Sequence, residues 1–318
     1  YSIQPNRPPA MADPGADAFL AAAMKTGLSL SGGGARGLSH LGSMDELQKA
    51  GIKIDMVAGC SVGALLGAMY AAEPDAETVR EKILKQIGKE DGQIIPVEYV
   101  DEDTKEERRS VFRKVAGSLR KSIYYGISLA QIAHLATSKL TETFANLLPD
   151  VDIQDLELPF ACSATDLNSQ QPHYFTKGPL IEAVAASCSI PGLYQPVQKD
   201  GMALVDGAWS ALHHGNQLRA MGADFVIAVD IQHEIRDNEL INGLDVVVRS
   251  NMAARIVLSQ IQIREADVVI RPDICHINWW DFSSSASCIV LGKEEAERQM
   301  TEIKRKIRRR KIRKFFLR

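Results

Sequence analysis

Gly59-Cys60-Ser61-Val62-Gly63 sets a serine between two glycines at G-x-S-x-G spacing. A serine becomes an acyl-transfer nucleophile where a strand turns sharply into a helix. The turn lifts the hydroxyl above the sheet and is too tight for side chains on either side. The same pentapeptide, taken alone, also fits a small-residue turn with a capping serine. Upstream, Gly32-Gly33-Gly34-Ala35-Arg36-Gly37 precedes a helical pattern. Glycines there let backbone N–H groups converge beside the positive end of the helix. That is what the oxyanion of a tetrahedral intermediate needs. A rival reading takes these six residues as G-x-G-x-x-G, with Asp55 as the ribose ligand of a dinucleotide-binding oxidoreductase. Downstream, Val205-Asp206-Gly207-Ala208 puts a carboxylate at the end of an apolar strand, where it either faces a neighbouring hydroxyl or caps its own turn.

These residues need elements to hold them. Gly27–Leu30 reads as a short strand feeding the glycine loop, and Leu38, Leu41, Met44 and Leu47 follow at helical period, stopped by Gly51. A second strand, Met56–Ala58, leads into Ser61, and a helix over Ala64–Ala72 ends before Pro74. Strand–turn–helix repeated in this way predicts a parallel sheet with crossover helices. Residues 77–150 change to charged, mostly helical text and read as a helical insertion. Further strands are expected at 158–163, 203–205, 225–230 and 267–270, with a helix near 294–303.

Composition narrows the class. The chain of 318 residues is 45% hydrophobic and 24% charged, which excludes disordered, collagen-like and coiled-coil classes. The net charge of −3 conceals an asymmetry: residues 304–318 hold ten basic and no acidic residues, leaving 27 basic against 40 acidic before them. Five scattered cysteines (Cys60, Cys162, Cys188, Cys275, Cys288) form no C-x-x-C pair and suggest neither a zinc site nor a disulfide framework. A reducing cytosol is the expected home. The longest uncharged run, Met56–Ala72, contains three glycines and a serine and is not expected to span a membrane.

Taken together and in order, the glycine loop, the G-x-S-x-G turn and Asp206-Gly207-Ala208 resemble the patatin-like phospholipase family of bacterial type. So do Leu38, His40, Gly42 and Leu47, the segment Ala186-Ser187-Cys188-Ser189-Ile190-Pro191, and Met221-Gly222-Ala223-Asp224. The resemblance covers about residues 25–300. It implies an α/β three-layer sandwich around a central, mainly parallel sheet. Residues 1–24 would be a loose leader, 25–303 the hydrolase domain and 304–318 a basic tail.

By resemblance Ser61 is the nucleophile and Asp206 its partner in a Ser–Asp dyad. Gly32, Gly33, Gly34 and Arg36 belong to the oxyanion loop, and Gly59 and Gly63 flank the nucleophile. No metal or cofactor is implied. The substrates would be phospholipids or lysophospholipids, with a catalytically silent membrane-binding scaffold as the non-enzymatic alternative. The chain order of an ordinary α/β hydrolase makes His213, His214, His233 or His276 eligible as base, but each is read as a surface or satisfied core histidine. The segment Ala211-Leu212-His213-His214 stands where the family often has Asn and Pro. The basic tail fits an anionic membrane surface at the cytosolic face, and nucleic acid is not expected as a partner. Trp279, Trp280 and Phe282 are expected to pack on the sheet rather than on lipid.

Overall fold

The computed structural model describes residues 24–88, 133–231 and 243–316. The chain opens with β1 (Thr26–Leu30), passes through a 3-10 turn (Gly34–Leu38) into α1 (Ser39–Lys49), then β2 (Met56–Gly59), α2 (Val62–Ala72) and α3 (Ala76–Ile87). After residues 89–132, which hold most of the expected insertion and lie outside the described residues, come β3 (Ala133–Leu135) and α4 (Ser138–Phe144). There follow β4 (Phe160–Asp166), β5 (Gln171–Phe175), α5 (Leu180–Ser187), β6 (Gly192–Tyr194), β7 (Val197–Lys199) and β8 (Met202–Asp206). The last elements are α6 (Gly215–Ala220), β9 (Phe225–Val229), α7 (Gly243–Gln262), β10 (Val268–Ile270) and α8 (Ser285–Phe316).

The central sheet is mixed. β10, β9, β1, β2 and β4 run parallel, as the strand–turn–helix rhythm requires, whereas β5, β7 and β8 pair antiparallel. Strand alternation explains the layers. Leu28, Leu30, Val57, Phe160, Phe225, Ile227 and Val229 face one apolar layer. Met56, Ala58, Ala161 and Val226 face a smaller one, with Leu218 of α6 and Ala223. Covering both faces of the parallel strands produces the three-layer sandwich.

One topological detail positions the site. β5 pairs with β4 from Cys162 to Asp166, so it takes one edge of that strand over those residues. β2, pairing with Phe160–Cys162, and β8, pairing with Ala164–Asp166, must therefore share the opposite edge. They run in opposite directions, and their C-terminal ends meet at Ser163. Asp206 is the last residue of β8, and Ser61 follows the end of β2 by two residues.

The basic tail continues α8 without a break through Phe316. Lys306 Nζ donates to Asp267 O at 2.8 Å, Arg310 Nε to Asp224 O at 2.9 Å, and Lys314 Nζ to Asp224 Oδ2 at 2.5 Å. Both acceptors precede strands, so the tail sits at the N-terminal ends of the parallel strands, opposite Ser61. Among the described residues no helix is long and apolar enough to cross a membrane.

Candidate active site

Ser61 occupies φ 53°, ψ −131°, a backbone conformation that side chains rarely adopt and that costs roughly 1–3 kcal/mol. Three interactions hold it there. Its N–H donates to the buried Ser187 Oγ at 3.0 Å. Cys60 N–H donates to Leu30 O at 3.3 Å. The glycines two positions away permit close packing: a Cβ on Gly59 would overlap Gly63 O, and one on Gly63 would overlap Leu30 O. The G-x-S-x-G spacing thus reflects two backbone contacts that only hydrogen atoms can fill.

Asp206 lies almost wholly buried, at 2% exposure. The Ser61 hydroxyl lies near its carboxylate and favours the ionised form. Ala208 N–H donates to Asp206 Oδ1 at 2.8 Å, and Asp206 N–H donates to Ser189 O at 2.9 Å. Burial pushes the Asp206 carboxyl up from 3.8 to about 6, against the pull of the Ser61 hydroxyl, the Ala208 N–H and the Arg255 charge. A carboxylate raised in this way remains ionised at neutral pH yet is a far better base than an exposed one.

The glycine loop lies against the elbow. A Cβ on Gly32 would stand 3.1 Å from both Cys60 Sγ and Ser61 Cβ. Gly34 has φ 58°, and a Cβ there would overlap Trp279 O. The first N–H groups of a helical turn lack internal partners. Ala35 N–H is taken by Trp279 O at 2.6 Å. Gly34 and Ser61 line a common cleft with Val62, Phe144, Tyr194 and Phe282, so the turn's start and the serine share one apolar space of about 20 Å³. The Arg36 side chain donates from Nε to Ile277 O at 2.6 Å, which ties the loop to the 277–282 segment.

The candidate histidines are engaged elsewhere. His213 Nε2 pairs with Ser259 Oγ at 2.9 Å and lies 3.6 Å from Asp230; His214 Nε2 pairs with Ser163 Oγ at 2.9 Å. Burial pulls their pKa values down to about 4 and about 3. His276 is exposed, and His233 lies outside the described residues. His40 supports the loop instead: its Nε2 meets Ser31 O at 2.8 Å, and since a carbonyl only accepts, that nitrogen carries the proton. The ribose-ligand reading of Asp55 does not survive the geometry. Asp55 accepts Thr26 N–H at 2.8 Å at the N-terminal end of β1, whereas the glycine loop leaves its C-terminal end.

Sequence reasoning assigned no role to three groups that this geometry uses. Ser187, the last residue of α5, and Ser189 just beyond it hold the backbone of Ser61 and of Asp206 respectively. The Trp279 carbonyl anchors the glycine loop. Only tertiary contact brings these groups into place. Trp279 packs partly buried against the core, with its ring edge-on to Trp280 at 5.5 Å.

A family model described as patatin-like phospholipase matches residues 28–211. "Lysophospholipase nte1" of Aspergillus fumigatus is 29% identical over 205 residues, covering 64% of this chain and 12% of that protein. "Neuropathy target esterase sws" of Drosophila melanogaster is 31% identical over 223 residues, covering 68% and 13%. The chain thus spans a small fraction of the length of these curated relatives. Among solved structures, human GIVD cytosolic phospholipase A2 superposes with a TM-score of 0.49 at 10% identity, covering 91% of this chain and 60% of that one. VipD from Legionella pneumophila gives 0.46 at 14%, covering 88% and 67%.

Proposed function

The chain belongs to the patatin-like phospholipase family, and from that premise we propose that it is a serine lipid acyl hydrolase that cleaves fatty-acyl esters of phospholipids or lysophospholipids. The observation that carries the reading is a strained Ser61 beside a buried carboxylate with a raised pKa. Ser61 Oγ attacks the acyl carbonyl carbon while Asp206 takes the hydroxyl proton. The carbonyl oxygen gains the charge and is held by backbone N–H groups of the Gly32–Gly34 loop. Collapse of the intermediate expels the alcohol, which leaves with the proton from Asp206. Water, deprotonated by the same carboxylate, then releases the fatty acid and restores Ser61.

Several features support an acyl substrate. The cleft beside Ser61 is lined by Leu65, Leu140, Phe144, Ile190, Tyr194 and Phe282. Its free space fits little more than one water, so an acyl chain enters by displacing one of these side chains; Ile190 and Phe282, only half-buried, are the readiest to move. The lysophospholipase name of the fungal relative makes a single-chain phospholipid the first candidate. Cys60, Cys162, Cys188 and Cys288 are buried free thiols, in keeping with the cytosolic side of a membrane.

The basic tail is our candidate for contact with an anionic bilayer, peripheral rather than spanning. Its position at the far end of the strands means that such contact tethers the protein without presenting Ser61. The deciding experiment incubates a panel of phospholipids and lysophospholipids with wild type and Ser61→Ala and identifies the released fatty acids by mass. Release by the wild type alone supports the reading; equal release by both, or by neither, removes it.

A further inference from the structure

Helix α7 is built inside out. An ordinary surface helix turns its apolar stripe to the core. Here Val246, Val257 and Ile261 are 48%, 57% and 56% exposed. The opposite face, spaced i, i+4, i+7, carries Arg255, Ser259 and Gln262, and these grip the segment just after Asp206. Gln262 Oε1 accepts Leu212 N–H at 3.0 Å and His213 N–H at 3.2 Å, while its Nε2 donates to Ser210 O at 2.8 Å. Ser259 Oγ bonds His213. Arg255 Nε donates to Ala208 O at 3.1 Å, and the guanidinium lies 4.5 Å from the centre of the Trp209 ring. Burial of apolar surface therefore does not explain how this face sits; contact with the aspartate turn does.

We infer that Arg255 is a positioning residue for Asp206, holding its turn through Ala208 and Trp209 and presenting a positive charge to its carboxylate. The inference rests on the proposed dyad and adds to it the group that orients the base. One peptide unit joins the pair directly: Ala208 gives its N–H to Asp206 Oδ1 and its carbonyl to Arg255 Nε. Freeing the carbonyl loosens the N–H that fixes the carboxylate rotamer.

The charge matters because little else near Asp206 carries one. Among the described residues, the groups that act on it or feel it are the Ser61 hydroxyl, the Ala208 N–H, the Cys60 and Cys188 thiols, and Arg255. Burial drives both thiols well above their ordinary range, so they are neutral at working pH. Arg255 stays cationic despite its burial. It favours the ionised, proton-accepting form of Asp206, in opposition to desolvation. Without it the carboxylate holds its proton to higher pH, and the base is lost at the acid end of the activity range.

The test is a pH profile of kcat and KM on a soluble short-chain p-nitrophenyl ester. Wild type is compared with Arg255→Met, Arg255→Gln, Arg255→Lys and a distant charge control, Arg298→Met, whose side chain is 72% exposed. Arg255→Met should raise the acidic limb by about one pH unit, roughly a tenfold loss at pH 5 beyond any change in plateau. Arg255→Gln, which keeps a donor for Ala208 O, should move the limb equally with a smaller fall in plateau kcat. Arg255→Lys keeps the charge but not the planar fork, so its limb should stay in place while kcat drops several-fold. Far-UV circular dichroism checks each fold; if Met fails to fold, Gln carries the comparison. A limb that stays put in both neutral variants, or moves as far in Lys or in Arg298→Met, overturns the inference. A wild type that hydrolyses no ester defeats the dyad reading instead, and that shows before any variant is compared.

Discussion

Gly63→Ala tests whether the serine elbow and the glycine loop form one rigid unit. The new Cβ would overlap Leu30 O and stand 2.7 Å from Leu30 C and 2.8 Å from Ser31 O. These are backbone atoms of the strand end that becomes the glycine loop, so no side chain can swing aside. Ordinary carbon contacts begin near 3.5 Å, and the elbow must therefore retreat from the loop by about 1 Å. Displacement of that size between reacting groups costs on the order of 10²-fold, near 2.7 kcal/mol in the barrier. The assay is kcat/KM on a soluble short-chain ester, with thermal melting to confirm that the variant is folded at the assay temperature. Gly243→Ala is the control, because a Cβ there meets nothing within 4 Å. If Gly63→Ala does not fold, Gly32→Ala asks the same question more gently, with contacts of 3.1 Å to Cys60 Sγ and Ser61 Cβ. A folded Gly63→Ala enzyme within about threefold of wild type would refute the reasoning.

Other outcomes follow from charge and burial. The raised folded pKa of Asp206, about 6 against 3.8, means that its ionisation costs nothing below pH 4 and about 3 kcal/mol above pH 6. Asp206→Asn should therefore melt higher than wild type at pH 8 and lose that advantage by pH 4; an unchanged melting temperature at pH 8 would contradict the burial argument. His40, His213 and His214 are held down at about 4, 4 and 3, so the stability they contribute is present above pH 6.5 and lost as pH falls towards 4. Melting temperatures should fall steeply across that window, and a flat profile would show that these histidines are not neutral in the fold. Deleting residues 304–318 should weaken binding to anionic vesicles, as should raised salt, while soluble-ester hydrolysis persists. Undiminished vesicle binding would remove the membrane role of the tail.

What the sequence made legible was local. Strand–turn–helix boundaries around Ser61 come from glycine and apolar periodicity within a dozen or so residues, and β1, β2, α1 and α2 fall where that pattern puts them. The residue pattern left Asp206 either facing a neighbouring hydroxyl or capping its own turn, and only the resemblance paired it with Ser61; the structure brings both to the same edge of β4. That relation depends on β8 running antiparallel, which no periodicity encodes. The polar inner face of α7 was equally hidden, because its apolar residues face outward and its contacts lie some 50 residues away in sequence. The basic run at 304–318 was plain as charge, yet its place at the far end of the strands follows only from Asp224 and Asp267 receiving it.

The central claim is that Ser61 is a nucleophile activated by Asp206. Its most direct test is covalent capture: the protein is incubated with a fluorophosphonate at pH 8, and intact mass and peptide mapping locate the adduct. One adduct per chain on Ser61 is expected in the wild type, with none in Ser61→Ala and labelling slowed at least ~10²-fold in Asp206→Asn. An adduct on another residue, or Asp206→Asn labelled as fast as wild type, would contradict it.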